Sequence, residues 1–366
     1  MPSLEEKIRE IEEELRRTPY NKATQHHIGR LKAKLAKLRE EAEQRSASKG
    51  AGRGYAVRKS GDATVVIVGF PSVGKSTLLN ALTNAESEVG SYDFTTLEVV
   101  PGMLEYRGAR IQLLDVPGLI RGASRGRGRG REVLSVIRSA DLILMLIDVF
   151  NLEQYRVLVK ELHDAGIRLD ASPPKVKITK RSQGGIRVSS TVELTGITEG
   201  TIKAILNEYR VHNAEVVIHE DLDEERFIDA LAGNRVYIPS LVVLNKIDLV
   251  GEEYLREAKE KLGRDFVAIS ASRGTGIEEL KERLYSRLGF MRIYLRPRRG
   301  ETDREEPLIV RRGTTVAEVC ARLHRDFVER FRYAQVWGKS VRFPGQRVGL
   351  EHVLEDGDVL TIVVRK

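Results

Sequence analysis

The octapeptide Gly69-Phe70-Pro71-Ser72-Val73-Gly74-Lys75-Ser76 constrains this chain more than any other stretch. It follows the apolar run ATVVIVG and precedes STLLNALT, whose apolar spacing is helical. A GxxxxGK[ST] loop between a strand and a helix folds its backbone closely around phosphates. Its glycines let amide N–H groups and the helix N-terminus meet negative charge. Gly69, Pro71, Ser72, Val73, Gly74, Lys75, Ser76 and Thr77 are therefore candidate nucleotide contacts. Lys75 would reach the β- and γ-phosphates, which makes it a candidate catalytic residue, and the Ser76 hydroxyl would ligate Mg2+. RIQLLDVPG, DLILMLIDV, SLVVLNKID and DFVAISAS supply further apolar runs, with a helix over 277–288. Apolar runs alternating with helical stretches predict an α/β fold with a mainly parallel, doubly wound sheet.

A phosphate loop alone does not distinguish ATP from GTP. Asp115-Val116-Pro117-Gly118 ends one apolar run, where the Asp115 carboxylate can hold Mg2+ and the Gly118 amide can sense the γ-phosphate. Asn245-Lys246-Ile247-Asp248 ends another. The Asp248 carboxylate can accept two hydrogen bonds from guanine N1–H and the exocyclic amine, which adenine does not offer. Asn245 would brace the loop and the Lys246 stem would cover the base. Ser270-Ala271-Ser272, after the last run, can set a backbone amide against guanine O6. Each short motif is weak alone; all four in order, each at a strand's carboxyl end, predict a site for GTP and GDP.

The segment Ser91-Tyr-Asp-Phe-Thr95-Thr96 lies between the first two runs. A threonine there would close on Mg2+ and the γ-phosphate, with Thr96 the first choice and Thr95 the second. Leu119 occupies the position where many GTPases place a water-orienting glutamine, so slow unassisted hydrolysis is expected. The run Arg121-Gly-Ala-Ser-Arg125-Gly-Arg127-Gly-Arg129-Gly-Arg131 admits three readings: an arginine finger in cis, a contact with an RNA backbone or acidic partner, and a solvated loop.

Around this centre the chain divides into a helical hairpin (1–45), a basic linker (46–62), two parts of a nucleotide domain (63–172 and 230–290), an α+β insertion (173–229) and a C-terminal domain (291–366). Within the insertion VKITK, STVELTG and AEVVIHE read as strands, and TIKAILNEYR as a helix. In the C-terminal domain YLR, EPLIVR and VLTIVVR read as strands around one helix over 315–331. Tyr333 and Trp337 read as core rather than as stacking platforms for bases. Cys320, the single cysteine, excludes an internal disulfide and reads as buried and inert. No run approaches the roughly 18 apolar residues of a spanning helix, and the acidic start MPSLEEKIREIEEE is not a secretory signal, so a cytoplasmic chain with no membrane partner is expected.

The net charge of +8 is unevenly placed. Residues 291–366 hold 16 Lys+Arg against 11 Asp+Glu, with Arg292, Arg296, Arg298, Arg299, Arg304, Arg311 and Arg312 crowded at their start. Such a surface can bind RNA phosphates with a steep salt dependence.

KATQHHIGRLKAKLAKLR, GFPSVGKSTLLNALT, YDFTTLEVVPGMLEY, DVPGLIRGASRGRGRGREV, ILNEYRVHNAEVVIHED, GNRVYIPSLVVLNKIDLV and QRVGLEHVLEDGDVLTI together resemble the developmentally regulated GTP-binding protein (DRG) family of the Obg-like GTPases, in an archaeal-type form. The resemblance covers almost the whole chain. It implies an N-terminal helical hairpin, a P-loop GTPase domain interrupted by an insertion similar to ribosomal protein S5 domain 2, and a C-terminal ubiquitin-like TGS domain. It implies GTP hydrolysis with Mg2+, with Lys75, Thr96 and Gly118 in the catalytic set and Ser76, Thr96 and Asp115 around the metal. It implies a ribosome or structured RNA as partner, a dedicated stabilising protein as in eukaryotic members, and no DNA. Ser72 stands where some potassium-activated relatives carry asparagine, so K+ use stays open.

Overall fold

The computed structural model describes residues 4–21, 23–48, 59–83, 99–117, 130–297 and 306–365. These divide into two compact units. One holds the N-terminal helices and Val159–Ile238; the other holds a six-stranded sheet and the C-terminal domain.

From edge to edge the six-stranded sheet runs Val267–Ala268, Ser240–Asn245, Leu142–Asp148, Ala63–Val68, Ala109–Asp115 and Val100–Tyr106. The first five are parallel, and Val100–Tyr106 joins its neighbour as an antiparallel hairpin. Ala63–Val68 and Leu142–Asp148 are buried at every position, as unbroken Val/Ile/Leu runs require of strands covered on both faces. Val100–Tyr106 carries Pro101 and Gly102, and it takes the edge, where a missing N–H is tolerated. The registers Ile67↔Asp115 and Asp148↔Asn245 bring these carboxyl ends to one side of the sheet. Ligands of open parallel sheets bind outside those ends.

The C-terminal sheet runs Leu308–Arg311, Phe290–Leu295, Val359–Val364, Phe331–Trp337 and Gln346–Val348. The single helix expected over 315–331 is two, Val316–Leu323 and Arg325–Glu329, with His324 extended between them. A capping box of Thr315 and Glu318 starts the first, and the His324 side chain caps the second. Phe331–Trp337 is a strand, because its residues alternate with period two rather than 3.6. That alternation also corrects the expected core position of Tyr333 and Trp337. Ala334 and Val336 face inward, fully buried, while Tyr333 and Trp337 are half-buried on the opposite face. There the Arg347 guanidinium lies 4.6 Å from the Tyr333 ring centre, and that of Arg296 lies 5.0 Å from Trp337. Cys320 is fully buried, and burial pushes its thiol up to about 11.

In the other unit the helices Leu4–Arg17 and Gln25–Ser48 pack against each other as a hairpin, with Ile8, Ile11, Ile28 and Leu31 buried. The second helix continues past residue 45 into the expected linker, since no Gly or Pro interrupts it there before Gly50. The three-stranded sheet Val176–Lys180, Ala214–Ile218, Ile186–Ser190 carries the helices Glu199–Glu208 and Glu224–Ala232. Its third strand lies one segment before the STVELTG expectation. In that stretch the Asp221 carboxylate takes the Thr195 amide at 2.9 Å and also the Thr195 hydroxyl, so a side chain 26 residues on satisfies an amide that a ladder would otherwise satisfy. Helix Glu224–Ala232 runs across residue 229, the expected edge of the insertion. Asp229, 5% exposed, accepts two bonds from Arg168 at 2.6 and 2.7 Å and one from Arg235 at 2.9 Å.

Candidate functional site

The loop after Ala63–Val68 places backbone donors first. Gly69 sits where a Cβ would lie 2.7 Å from the Leu146 carbonyl, so a side chain there would collide with the neighbouring strand. Ser72 and Gly74 are left-handed, at φ 62° and 97°. Helix Lys75–Leu82 then begins, and the amides of Lys75, Ser76 and Thr77 in its first turn have no intrahelical acceptor. Pro71, Ser72, Ser76 and Thr77 are exposed, while Val73 is buried.

The Ser76 hydroxyl donates to Asp115 Oδ2 at 2.7 Å. Burial raises the Asp115 carboxyl above its ordinary value, opposed by the Ser76 hydrogen bond and by Lys75. Burial lowers the Lys75 ammonium, opposed by Asp115, and its Nζ donates to the Phe70 carbonyl at 3.3 Å. A hydroxyl and a carboxylate oxygen held together are hard donors that suit Mg2+, which takes one or two protein ligands and completes its shell with phosphate and water. A half-buried ammonium and a buried carboxylate, each disfavoured by burial in its charged form, are likewise a pair that a bound phosphate and a metal ion would relieve.

Asn245, 3% exposed, ties two loops together: Nδ2 donates to the Val73 carbonyl at 2.9 Å, and Oδ1 accepts the Ala271 amide at 3.0 Å. A Cβ on Gly74 would lie 2.5 Å from that Nδ2. Lys246, left-handed at φ 69°, donates to the Ser72 carbonyl at 3.1 Å and to Asp148 Oδ2 at 2.6 Å. Asp248 is held below its ordinary carboxylate value, chiefly by the Ser270 hydroxyl, and Arg273 Nε lies 3.3 Å from its Oδ2. Of the amides expected near guanine O6, Ser270 donates to the Thr275 carbonyl and Ala271 to Asn245; the Ser270 and Ser272 hydroxyls lie 3.3 Å apart.

Thus Gly69 through Thr77, Asp115, Asn245, Lys246, Asp248 and Ser270–Ser272 gather at one end of the sheet. Thr95, Thr96, Gly118, Leu119 and the run Arg121–Arg129 lie outside the described residues. Two participants escaped the sequence reading. Asp148, 7% exposed, holds the Lys246 ammonium, and its position at the end of an apolar run beside the other motifs was the available signal. Arg273, next to the Ser-Ala-Ser motif, shields the Asp248 carboxylate, and its sequence context carries no mark of that role. In the arginine crowd of the C-terminal domain, Arg292 makes three bonds to Asp356 and Arg311 bonds Asp141 at 2.7 Å, while Arg298, Arg299 and Arg304 lie outside the described residues.

Comparison with known proteins follows the same plan. A family model described as 50S ribosome-binding GTPase matches residues 64–180, the C-terminal region of that domain matches 183–290, and the TGS domain matches 291–364. An uncharacterized GTP-binding protein of Methanocaldococcus jannaschii is 65% identical over 366 residues, covering 99% of this chain and 93% of its own length. Developmentally-regulated GTP-binding protein 2 of Homo sapiens is 46% identical over 360 residues, 98% of each chain. Developmentally-regulated G-protein 3 of Arabidopsis thaliana is 45% identical over 368 residues, 99% of each. Likeness sustained through every domain, and not in the nucleotide loops alone, makes this chain a GTP-binding protein of the developmentally regulated GTP-binding protein family, within the Obg-like GTPases.

Proposed function

We propose that the protein hydrolyses GTP to GDP and phosphate with Mg2+, slowly when alone, and serves in the cytoplasm as a switch on a ribosome or structured RNA. The observation that carries this reading is the double brace of Asn245, which joins the phosphate loop and the Ser-Ala-Ser loop in one hydrogen-bonded unit. In this reading the loop amides and the first turn of the helix take the phosphates, and Lys75 neutralises the bridging charge. Asp248 selects guanine. Ser76 and Asp115 would hold Mg2+, which supplies positive charge to the phosphate oxygens when bound. Thr96 and the Gly118 amide are assigned to the γ-phosphate from sequence. Leu119 has no polar group with which to orient water, so acceleration falls to the partner.

Leu119 also supports a second reading, a nucleotide-gated scaffold that scarcely hydrolyses. Single-turnover GTP hydrolysis with and without ribosomes separates the two. The enzyme reading expects acceleration by ribosomes and its loss in Lys75→Ala; equal, negligible rates throughout would leave only the scaffold.

A further inference from the structure

The insertion's three-stranded sheet has one face covered and one bare. Val176, Ile178, Ile186, Val188, Val216 and Ile218 point into a core shared with the helices Glu199–Glu208 and Glu224–Ala232. Side chains of a strand alternate between faces, so the intervening residues point outward. On the first strand these are Lys177 and Thr179, with Lys175 and Arg181 continuing the row on either side; on the third they are Arg187 and Ser189. The registers Lys177↔Val217↔Ser189 and Thr179↔Glu215↔Arg187 set them in rows across the sheet.

Four cations therefore stand on this face against one carboxylate on its central strand. Arg181 is bonded to that carboxylate, Glu215, at 2.8 Å. Lys175, Lys177 and Arg187 are exposed and make no ion pair among the described residues. Arg187 and Lys177 also add to the pull that holds Glu215 below its ordinary value, after Arg181, so their charges converge on the same patch. Successive outward residues are about 6.7 Å apart, so the row Lys175–Arg181 spans about 20 Å.

We infer that this open face is a docking surface for the phosphate backbone of structured RNA. The inference rests on the proposed RNA- or ribosome-linked function and names a surface for it outside the nucleotide site. Lysine, arginine and hydroxyl groups without base-reading geometry are the usual means of contacting phosphates. The face lacks the buried aromatic or aliphatic anchor that a protein partner or a lipid surface would engage, since Val217 is its one aliphatic residue and is half-buried.

The test uses the full chain, a fluorescein-labelled RNA hairpin of about 20 base pairs and a KCl series. Each phosphate contact contributes about 0.7–0.9 to the slope of log affinity against log salt. Lys177→Glu with Arg187→Glu should therefore lower the slope by about 1.4–1.8 and weaken binding at least tenfold at 0.1 M salt. GTP affinity and the thermal transition should stay those of the parent chain. If the reversed pair does not fold, Lys177→Gln with Arg187→Gln carries the same test with a similar slope change. Parent-like binding and slope in the folded variant overturn this surface and leave the proposed function standing. No RNA binding by the parent chain overturns this surface, while the proposed function falls separately, if ribosomes fail to accelerate GTP hydrolysis. Loss of binding to anionic vesicles or to an acidic peptide, with RNA binding intact, overturns RNA as the occupant.

Discussion

Asn245→Ala is the most informative single change in the nucleotide site, because it empties one position that two loops share. It leaves the Val73 carbonyl and the Ala271 amide without their partner at a place 3% exposed. Each unmet buried group costs about 1–3 kcal/mol, so the nucleotide-free protein should lose about 2–6 kcal/mol. Gly74→Ala acts on the same contact from the other side. The left-handed φ of 97° costs an alanine about 1–2 kcal/mol. Its Cβ, 2.5 Å from Asn245 Nδ2, also displaces the Val73 bond, worth about 1–1.5 kcal/mol. In the double variant the amide is gone and the collision with it, so the second cost should vanish. The effects should fall short of additive by about 1–1.5 kcal/mol, well outside the few tenths typical of independent sites. Urea unfolding followed by far-UV circular dichroism measures the cycle. Hydrogen exchange should place the loss at the Val73 and Ala271 segments. Additive energies with unchanged Ala271 exchange would refute the shared brace.

Asp248→Asn exchanges an acceptor for a donor against the guanine amine, so preference should move from guanine toward xanthine nucleotides; competition binding with XTP and GTP reads this, and unchanged GTP selectivity overturns the assignment. Asp229→Ala strands Arg168 and Arg235, which are 13% and 14% exposed, and should destabilise the fold by about 3–5 kcal/mol, measured by chemical denaturation. Cys320 should resist thiol reagents in the native protein at pH 8 and react on unfolding. Its thiol is raised to about 11, so the folded state keeps the proton longer than the unfolded one. Stability should then fall as pH rises from about 9 to 11, by at most about 2–3 kcal/mol, and Cys320→Ala should flatten that limb.

What the sequence reveals here depends on whether the information is contiguous. The phosphate loop, Asp115 and the Asn245–Asp248 stretch are short runs set by backbone conformation, and each ends a strand recognisable from its own apolar content. The Asp148–Lys246 pair is 98 positions apart in the chain, and only the register Asp148↔Asn245 makes it a contact. The orientation of Tyr333 and Trp337 was equally hidden, since an aromatic-rich stretch looks like core until its alternation is set against a partner strand. Arg292 looked like free positive charge because Asp356 stands 64 residues away.

The seam at residue 290 has a consequence for how this protein can be divided. Sequence models place one domain up to 290 and the next from 291. Physically, Phe290 and Ile309 are 4% and 3% exposed and belong to the same apolar cluster as Leu284, Tyr285 and Leu288. Tyr285 sets its ring edge-on to both Tyr106 and Phe290. A chain cut at the seam would bare a greasy stump on the nucleotide domain, and a TGS domain transplanted from elsewhere would have to bring matching ring and aliphatic surfaces.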